Sequence, residues 1–319
     1  MIRIKSPSRL HLTLIDMNAS YGRIDGGVGI SIDHPNVLIS AEKSSEIIVS
    51  GESSLRERME LAVRKVLPEG EGIHINVEQE MFSHVGLGSG TQAALCAAAA
   101  VNHLYELDMS VRDLAIKVGR GGTSGIGVAS FESGGFIIDG GHIFSEKGSF
   151  SPSSASRADP APVLFREDFP DWDIVLAIPD TQGAHDAREV DVFQQSCPIP
   201  LGDVQELSHL ILMKMMPAII EHDIQAFGYV VNHIQKLGFK KCEVDLQLQA
   251  VRDVISLMQD SGASGAGMSS FGPVVYGVVE NREDATYLME DVQDLLDNTI
   301  GGSVLLTKAN NTGAEIKEV

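Results

Sequence analysis

Hydrophobic and polar positions alternate along residues 2–14, with Ile2, Ile4, Leu10, Leu12 and Leu14 on one face and Arg3, Lys5, Arg9, His11 and Thr13 on the other. A period of two with β-compatible residues predicts a strand, and Pro7 marks a bend or an edge position within it. A polar, turn-rich connection over 15–27 follows. Alternation resumes over 28–32, and 36–41 and 46–50 read as two further short strands. Four strands ahead of the first helix favour an antiparallel sheet over a parallel, doubly wound one. Leu55, Met59, Ala62, Val63 and Val66 then recur at helical spacing, and Pro68 stops that helix. Ile73, Ile75 and Val77 alternate as a strand that delivers the chain into Val85-Gly86-Leu87-Gly88-Ser89-Gly90-Thr91-Gln92. The alanine-rich run behind that loop predicts a helix over about 90–106, with Ser89 or Thr91 as its cap. A second helix, over about 110–118, opens at Ser110 and closes at Gly119.

Glycines cluster again over 119–127, and 134–142 has the pattern of a hairpin turning at Asp139-Gly140-Gly141. Between 149 and 162 the composition shifts to Ser, Pro, Ala and Asp, the mark of a connection between two halves. Two domains are therefore expected, 1–155 and 156–319. The second half holds apolar segments at 163–165 and 172–178 and a polar loop over 181–189. Helical patterns follow over 203–216, 218–235 and 244–260, then a third glycine stretch over 262–273. A strand at 274–279, a helix at 283–296 and a strand at 303–307 complete an α+β arrangement.

Composition narrows the functional classes. With 319 residues and 43% hydrophobic content, the chain buries a sizeable core and is long enough for two domains. A formal net charge of -20 argues against nucleic acid or an anionic membrane as partner. The longest strictly apolar run, 93–101, falls far short of the roughly 20 residues of a membrane helix. Cys96, Cys197 and Cys242 are scattered, with neither metal spacing nor a disulfide framework. These features describe a soluble, reduced, cytoplasmic protein.

Candidate chemistry gathers on the glycine loops. A bare glycine loop opening a helix presents unpaired N–H groups and the positive dipole end, and phosphate is its usual guest. A tight turn that lets the alanine helix pack closely is the structural alternative. In so acidic a chain, the strand face with Lys5, Arg9 and His11 suits an anion, although a solvated face has the same pattern. His185 beside Asp186 lies on a loop that can be a lid or plain surface. His209 and His222 are too far apart for a one-turn metal pair, so no structural metal is expected.

Three glycine loops at the ends of regular elements resemble the GHMP superfamily of small-molecule kinases over nearly the whole chain. Gly86-Leu87-Gly88-Ser89 is similar to its central motif, and 262–272 takes the place of its C-terminal loop. The resemblance implies an N-terminal domain like the second domain of ribosomal protein S5, joined to a ferredoxin-like C-terminal domain. Departures from the kinases are informative. Where kinases with a catalytic aspartate have Ser-Gly-x-Asp, this chain has Ser124-Gly125-Ile126-Gly127, and a glycine accepts no hydroxyl proton.

One non-kinase branch, the β-ribofuranosylaminobenzene 5′-phosphate synthases of methanopterin biosynthesis, resembles the chain much more closely. The shared blocks are Ser8-Arg9-Leu10-His11-Leu12-Thr13-Leu14-Ile15-Asp16, Gly22-Arg23-Ile24-Asp25-Gly26-Gly27-Val28-Gly29 and Gly119-Arg120-Gly121-Gly122-Thr123-Ser124-Gly125. Gly134-Gly135-Phe136-Ile137-Ile138-Asp139-Gly140-Gly141-His142 and Gly267-Met268-Ser269-Ser270-Phe271-Gly272-Pro273 continue them. This resemblance implies a decarboxylating transfer of ribose 5-phosphate from phosphoribosyl pyrophosphate to 4-aminobenzoate, with Mg²⁺ assisting. Gly86, Gly88, Ser89, Gly90 and Thr91, with Arg120, Thr123 and Ser124, are then the phosphate-binding candidates. Lys5, Arg9, His11, Ser269 and Ser270 are candidates for holding substrate. Arg23 would clamp the benzoate carboxylate, and Asp16 would serve Mg²⁺ or a proton, a salt-bridged loop being the plainer account of both. His11 and His142 have an equally plain structural account. Self-association into a homodimer stays open. Two other functions compete: a GHMP-type kinase with a relocated base, and a catalytically silent sensor of a nucleotide or sugar phosphate.

Overall fold

The computed structural model describes residues 1–152, 155–181 and 187–319, with the side chains of 187–189 outside that description. The polar loop with His185 and Asp186 therefore lies outside the described residues. Strands are β1 (Ile2–Asp16), β2 (Arg23–Ser44), β3 (Ile47–Ser50), β4 (Gly72–Gln79), β5 (Phe136–Asp139) and β6 (His142–Ile143). They continue as β7 (Val163–Glu167), β8 (Asp173–Pro179), β9 (Gly265–Met268), β10 (Val275–Val279), β11 (Gly302–Thr307) and β12 (Glu315–Glu318). Helices are α1 (Arg56–Val66), α2 (Ser89–Leu104), α3 (Val111–Val118), α4 (Ile126–Glu132), α5 (Phe144–Lys147) and α6 (Ala187–Ser196). After α7 (Leu201–Leu210) a π-helical turn (Ile211–Met215) leads into α8 (Met216–Glu221), α9 (Ile224–Ile234), α10 (Gly238–Asp245), α11 (Gln249–Asp260) and α12 (Arg282–Asp297).

Two sheets carry an α+β fold. The first runs β12-β1-β2-β4-β3, with β5 and β6 also paired to β2 and β7 to β5. The second runs β11-β8-β10-β9, antiparallel throughout. β1 alternates because its apolar face packs on α2. The pairing of β1 with β2 shifts register between Ser6 and Ser8, at Pro7, which cannot donate to the ladder. α2 is buried over most of its length, and its alanines let α1, α3 and both long strands close around it. Ser110 caps α3 in a reciprocal capping box with Asp113.

Several expectations are corrected. Segments 28–32 and 36–41 belong to one strand, β2, which also takes in part of the supposed connection over 15–27. Residues 134–142 are not a hairpin: β5 and β6 both pair with β2, and Gly140-Gly141 only steps the chain along it. A Cβ on Gly141 would stand 2.0 Å from the Ile24 carbonyl, so only glycine fits that step. The second glycine cluster runs into a helix, α4, and the third contains a strand, β9. The first sheet draws strands from both sides of position 155: β7 adds to it through β5, and β12 returns to it beside β1.

Candidate active site

Three segments far apart in sequence are knitted into one wall. The Arg9 N–H donates to Leu87 O, the Val274 N–H to Val85 O and the Ser270 N–H to His11 O. Ser269 closes the knot: its hydroxyl donates to Gly86 O at 2.6 Å and accepts from the His11 N–H at 3.0 Å. Gly86 lies so close to this strand end that a Cβ would stand 2.3 Å from Ser269 O, at a φ of +95°. Gly88, also left-handed at +81°, turns the chain into α2 with no side chain capping it, which overturns the caps expected from Ser89 or Thr91. The first N–H groups of α2 thus face the cleft without a side-chain partner, as an anion site requires.

The cleft holds about 230 Å³. Arg9, Arg58 and Arg120 line it together with Gly86, Gly88, Ser89, Gly90 and Thr91. Arg120 is anchored by two N–H donations to Thr91 Oγ1, at 3.0 and 3.2 Å. Burial, then the neighbouring charges of Arg58 and Arg9, pull its pKa down to about 10, so it stays a cation at neutral pH. Three guanidinium groups in a chain of net charge -20 form a local field for a polyanion.

The same lining has an apolar part, Leu14, Phe193 and Phe271, the two rings 6.1 Å apart, beside His11, Ser270 and Glu243. Arg9 stands between the two groups, its charge acting on both Arg120 and Glu243. His11 is 5% exposed, and neither ring nitrogen has a hydrogen-bond partner. Burial, aided by Arg9 and Lys240, holds its pKa well below 6.5, so the ring is neutral. Glu243 pairs with Lys240, whose ammonium also donates to Met268 O and Ser270 O, each at 3.2 Å. Burial raises the carboxyl pKa of Glu243 and lowers the ammonium pKa of Lys240.

The structure brings together most of the residues picked from sequence and sets three of them elsewhere. Arg9, His11, Gly86, Gly88, Ser89, Gly90, Thr91, Arg120, Thr123, Ser124 and Ser270 line the cleft, and Ser269 stands behind it. The hydroxyls of Thr123 and Ser124 are committed to Ser151 O and Asp139. Lys5 is absent from the lining, because its ammonium pairs with Asp33 at 2.7 Å. Arg23 is absent too: its guanidinium donates to the carbonyls of Gly140 and Gly141, at 2.9 and 2.8 Å. Asp16 closes a turn, accepting from the N–H groups of Asn18 and Ala19. Arg58 and Glu243 carry no sequence expectation of a site: Arg58 falls on the helix that Pro68 stops, and Glu243 between the helical patterns over 218–235 and 244–260. The i, i+3 pair of Lys240 and Glu243 was the available signal.

Magnesium fits no side-chain cage here. Among the described residues no group of three or more His, Cys, Asp or Glu is placed to hold a metal. Glu243, the one carboxylate of the cleft lining among the described residues, already faces Lys240.

The glycine loops, the arginine cluster and the two sheets define a GHMP-type protein. The GHMP kinases N terminal domain matches residues 54–135, and the GHMP kinases C terminal domain residues 215–298. Homoserine kinase from Cytophaga hutchinsonii shares this fold, with a TM-score of 0.71 at 17% identity over 99% of this chain and 97% of that one. A relative from Archaeoglobus fulgidus named beta-ribofuranosylphenol 5′-phosphate synthase is 47% identical over 99% of this chain and all of its own. One of the same name from Methanothermobacter thermautotrophicus is 48% identical, over 98% of this chain and 97% of its own. The chain belongs to this family of synthases, and is an enzyme. Among the described residues no helix is long and apolar enough to cross a membrane.

Proposed function

We propose that the enzyme condenses a para-substituted benzoate with phosphoribosyl pyrophosphate, releasing carbon dioxide and pyrophosphate, as a step of methanopterin biosynthesis. The observation that carries this reading is the mixed lining of the cleft, which joins three arginines and the uncapped start of α2 to an apolar, aromatic set, Leu14, Phe193 and Phe271. Departure of pyrophosphate from the ribose C1 builds negative charge that fixed N–H dipoles and guanidinium groups stabilise. Electron-poor C1 then bonds to the ring carbon carrying the carboxylate, and loss of carbon dioxide restores aromaticity. Mg²⁺ enters as part of the substrate, on its diphosphate, in keeping with that ion's preference for phosphates over all-protein cages. The relatives' names speak of a phenol, which favours 4-hydroxybenzoate over the 4-aminobenzoate expected from the sequence resemblance.

A kinase reading finds little support. Gly127 sits in α4 with Thr91 beside it, and a Cβ there would stand 3.2 Å from the Thr91 methyl. An aspartate would press on the residue that anchors Arg120. One assay separates synthase, kinase and sensor: phosphoribosyl pyrophosphate and Mg²⁺ with each benzoate in turn, read by mass spectrometry. The expected outcome is a ribosylated ring with one pyrophosphate and one carbon dioxide per turnover. ATP turnover with homoserine, mevalonate, galactose or shikimate would support the kinase instead, and ligand binding without any product the sensor.

A further inference from the structure

We infer that Glu243 is the group that receives the para substituent of the aromatic acid, accepting its proton as the ring attacks the sugar. The inference rests on the condensation proposed above and adds to it a proton acceptor on α10. Geometry orients the ring. Its reacting carbon must meet the ribose C1, whose pyrophosphate lies at Arg58 and Arg120, so the opposite ring position points away from them, toward the part of the lining that holds the aromatic rings. There the walls are Leu14, Phe193 and Phe271, and the polar groups are His11, Ser270 and Glu243. The two unpartnered ring nitrogens of a 5%-exposed His11 show that this part is built to meet a polar group. Glu243 is the carboxylate in that lining, held in place by a lysine whose other bonds go to backbone carbonyls.

The chemistry needs such an acceptor. A phenol attacks carbon far better as its O–H bond weakens. As the ring carbon forms its bond to C1, the C1–O bond to pyrophosphate breaks and the phenolic proton passes to Glu243. A neutral cyclohexadienone carboxylate results. The C–CO₂ bond then breaks, its electron pair restores the ring and makes the oxygen a phenolate, and Glu243 returns the proton. Charge and atoms balance without any further reactant. Burial raises the carboxyl pKa of Glu243 and so improves it as an acceptor.

The test uses the full chain, both benzoates and 4-methoxybenzoate, an acid of similar shape with no para proton. Glu243→Gln should lower kcat/KM for 4-hydroxybenzoate by about 100-fold, the range of a lost acid–base group. The KM for phosphoribosyl pyrophosphate should stay within about 2-fold, since Arg58 and Arg120 are untouched. Because Gln leaves Lys240 without its counter-charge, Glu243→Asp is run beside it. Aspartate keeps the ion pair but withdraws the carboxylate, and about 10-fold is expected. Wild-type enzyme should give no product from 4-methoxybenzoate. Turnover of that acid at a rate near that of 4-hydroxybenzoate, or an Asp variant with unchanged kcat/KM, would overturn the inference. Failure of the wild-type enzyme to ribosylate any of the acids would overturn the condensation itself.

Discussion

Two lysine–carboxylate pairs are buried among the described residues, and they do different things with the same groups. Lys240 meets Glu243 and two carbonyls, beside the cleft. Lys147 meets Asp25 at 2.8 Å, together with the Thr123 hydroxyl and Ser151 O. The same Asp25 oxygen also lies 2.6 Å from His142 Nδ1, and His142 Nε2 lies 2.9 Å from Asp159 O. Through these bonds the Asp25 cluster ties the start of β2 to the segments at 123, 142–151 and 159. None of Asp25, His142 and Lys147 lines the cleft, whereas Glu243 does. A buried ion pair is therefore scaffold or site according to where its carboxylate looks, and its composition does not decide which.

The largest expected effect breaks the scaffold pair. Asp25→Asn should cost about 3–5 kcal/mol in urea unfolding, because it strands a buried ammonium. The kcat/KM of the enzyme that stays folded should change little, and a kinetic collapse without lost stability would make the cluster part of the site. Asp139 sharpens the same distinction through pH. Its buried carboxylate accepts from the N–H groups of Gly125 and Gly141, and burial raises its pKa from 3.8 to about 6. The folded chain thus keeps this proton to higher pH than the unfolded one. That contribution to stability is complete below about pH 4 and is lost as the pH rises through about 6, a change of ~2–3 kcal/mol. Measured against Asp139→Asn across this window, wild-type stability should fall while the variant stays level.

Arg120→Met removes one cation of the arginine cluster. It should raise the KM for phosphoribosyl pyrophosphate roughly 10- to 150-fold, the equivalent of about 1.5–3 kcal/mol, and leave that for the benzoate nearly alone. Equal changes for both substrates would mean that the two parts of the cleft lining are not separate. The smallest effect is expected at Arg23. With its fork on two backbone carbonyls, Arg23→Lys should cost about 1 kcal/mol of stability. A selective rise in the KM for the benzoate would instead restore Arg23 as the carboxylate clamp.

Local signals made much of this legible. The alternation of β1, the capping box at Ser110 and the glycine loop before α2 all stand where periodicity and turn chemistry put them. Long-range closeness was invisible. β9 hides in a glycine stretch because it touches α9: Gly228 and Gly265 are so near that a Cβ on Gly265 would stand 2.6 Å from the Gly228 Cα. A strand written in glycines for a neighbour's sake has no strand signature. The glycine loop was legible because its glycines lie in one run, and the apolar part of the cleft lining was not, because Leu14, Phe193, Glu243 and Phe271 come from four separate segments. Asp16 and Arg23 stood in motif-like blocks, but their groups serve turns and carbonyls.

The first sheet has one further consequence, for the order in which the molecule can be made. β1 is flanked on one side by β2, its near neighbour in sequence, and on the other by β12, whose partners run from Ile2↔Glu318 to Lys5↔Glu315. During synthesis β1 thus holds an open hydrogen-bonding edge until almost every other element has been added. Such an edge is a template for pairing with a second chain. Nascent chains lacking 315–318 should pair through β1 or recruit a chaperone there, and β12 acts as the seal that ends that vulnerable interval.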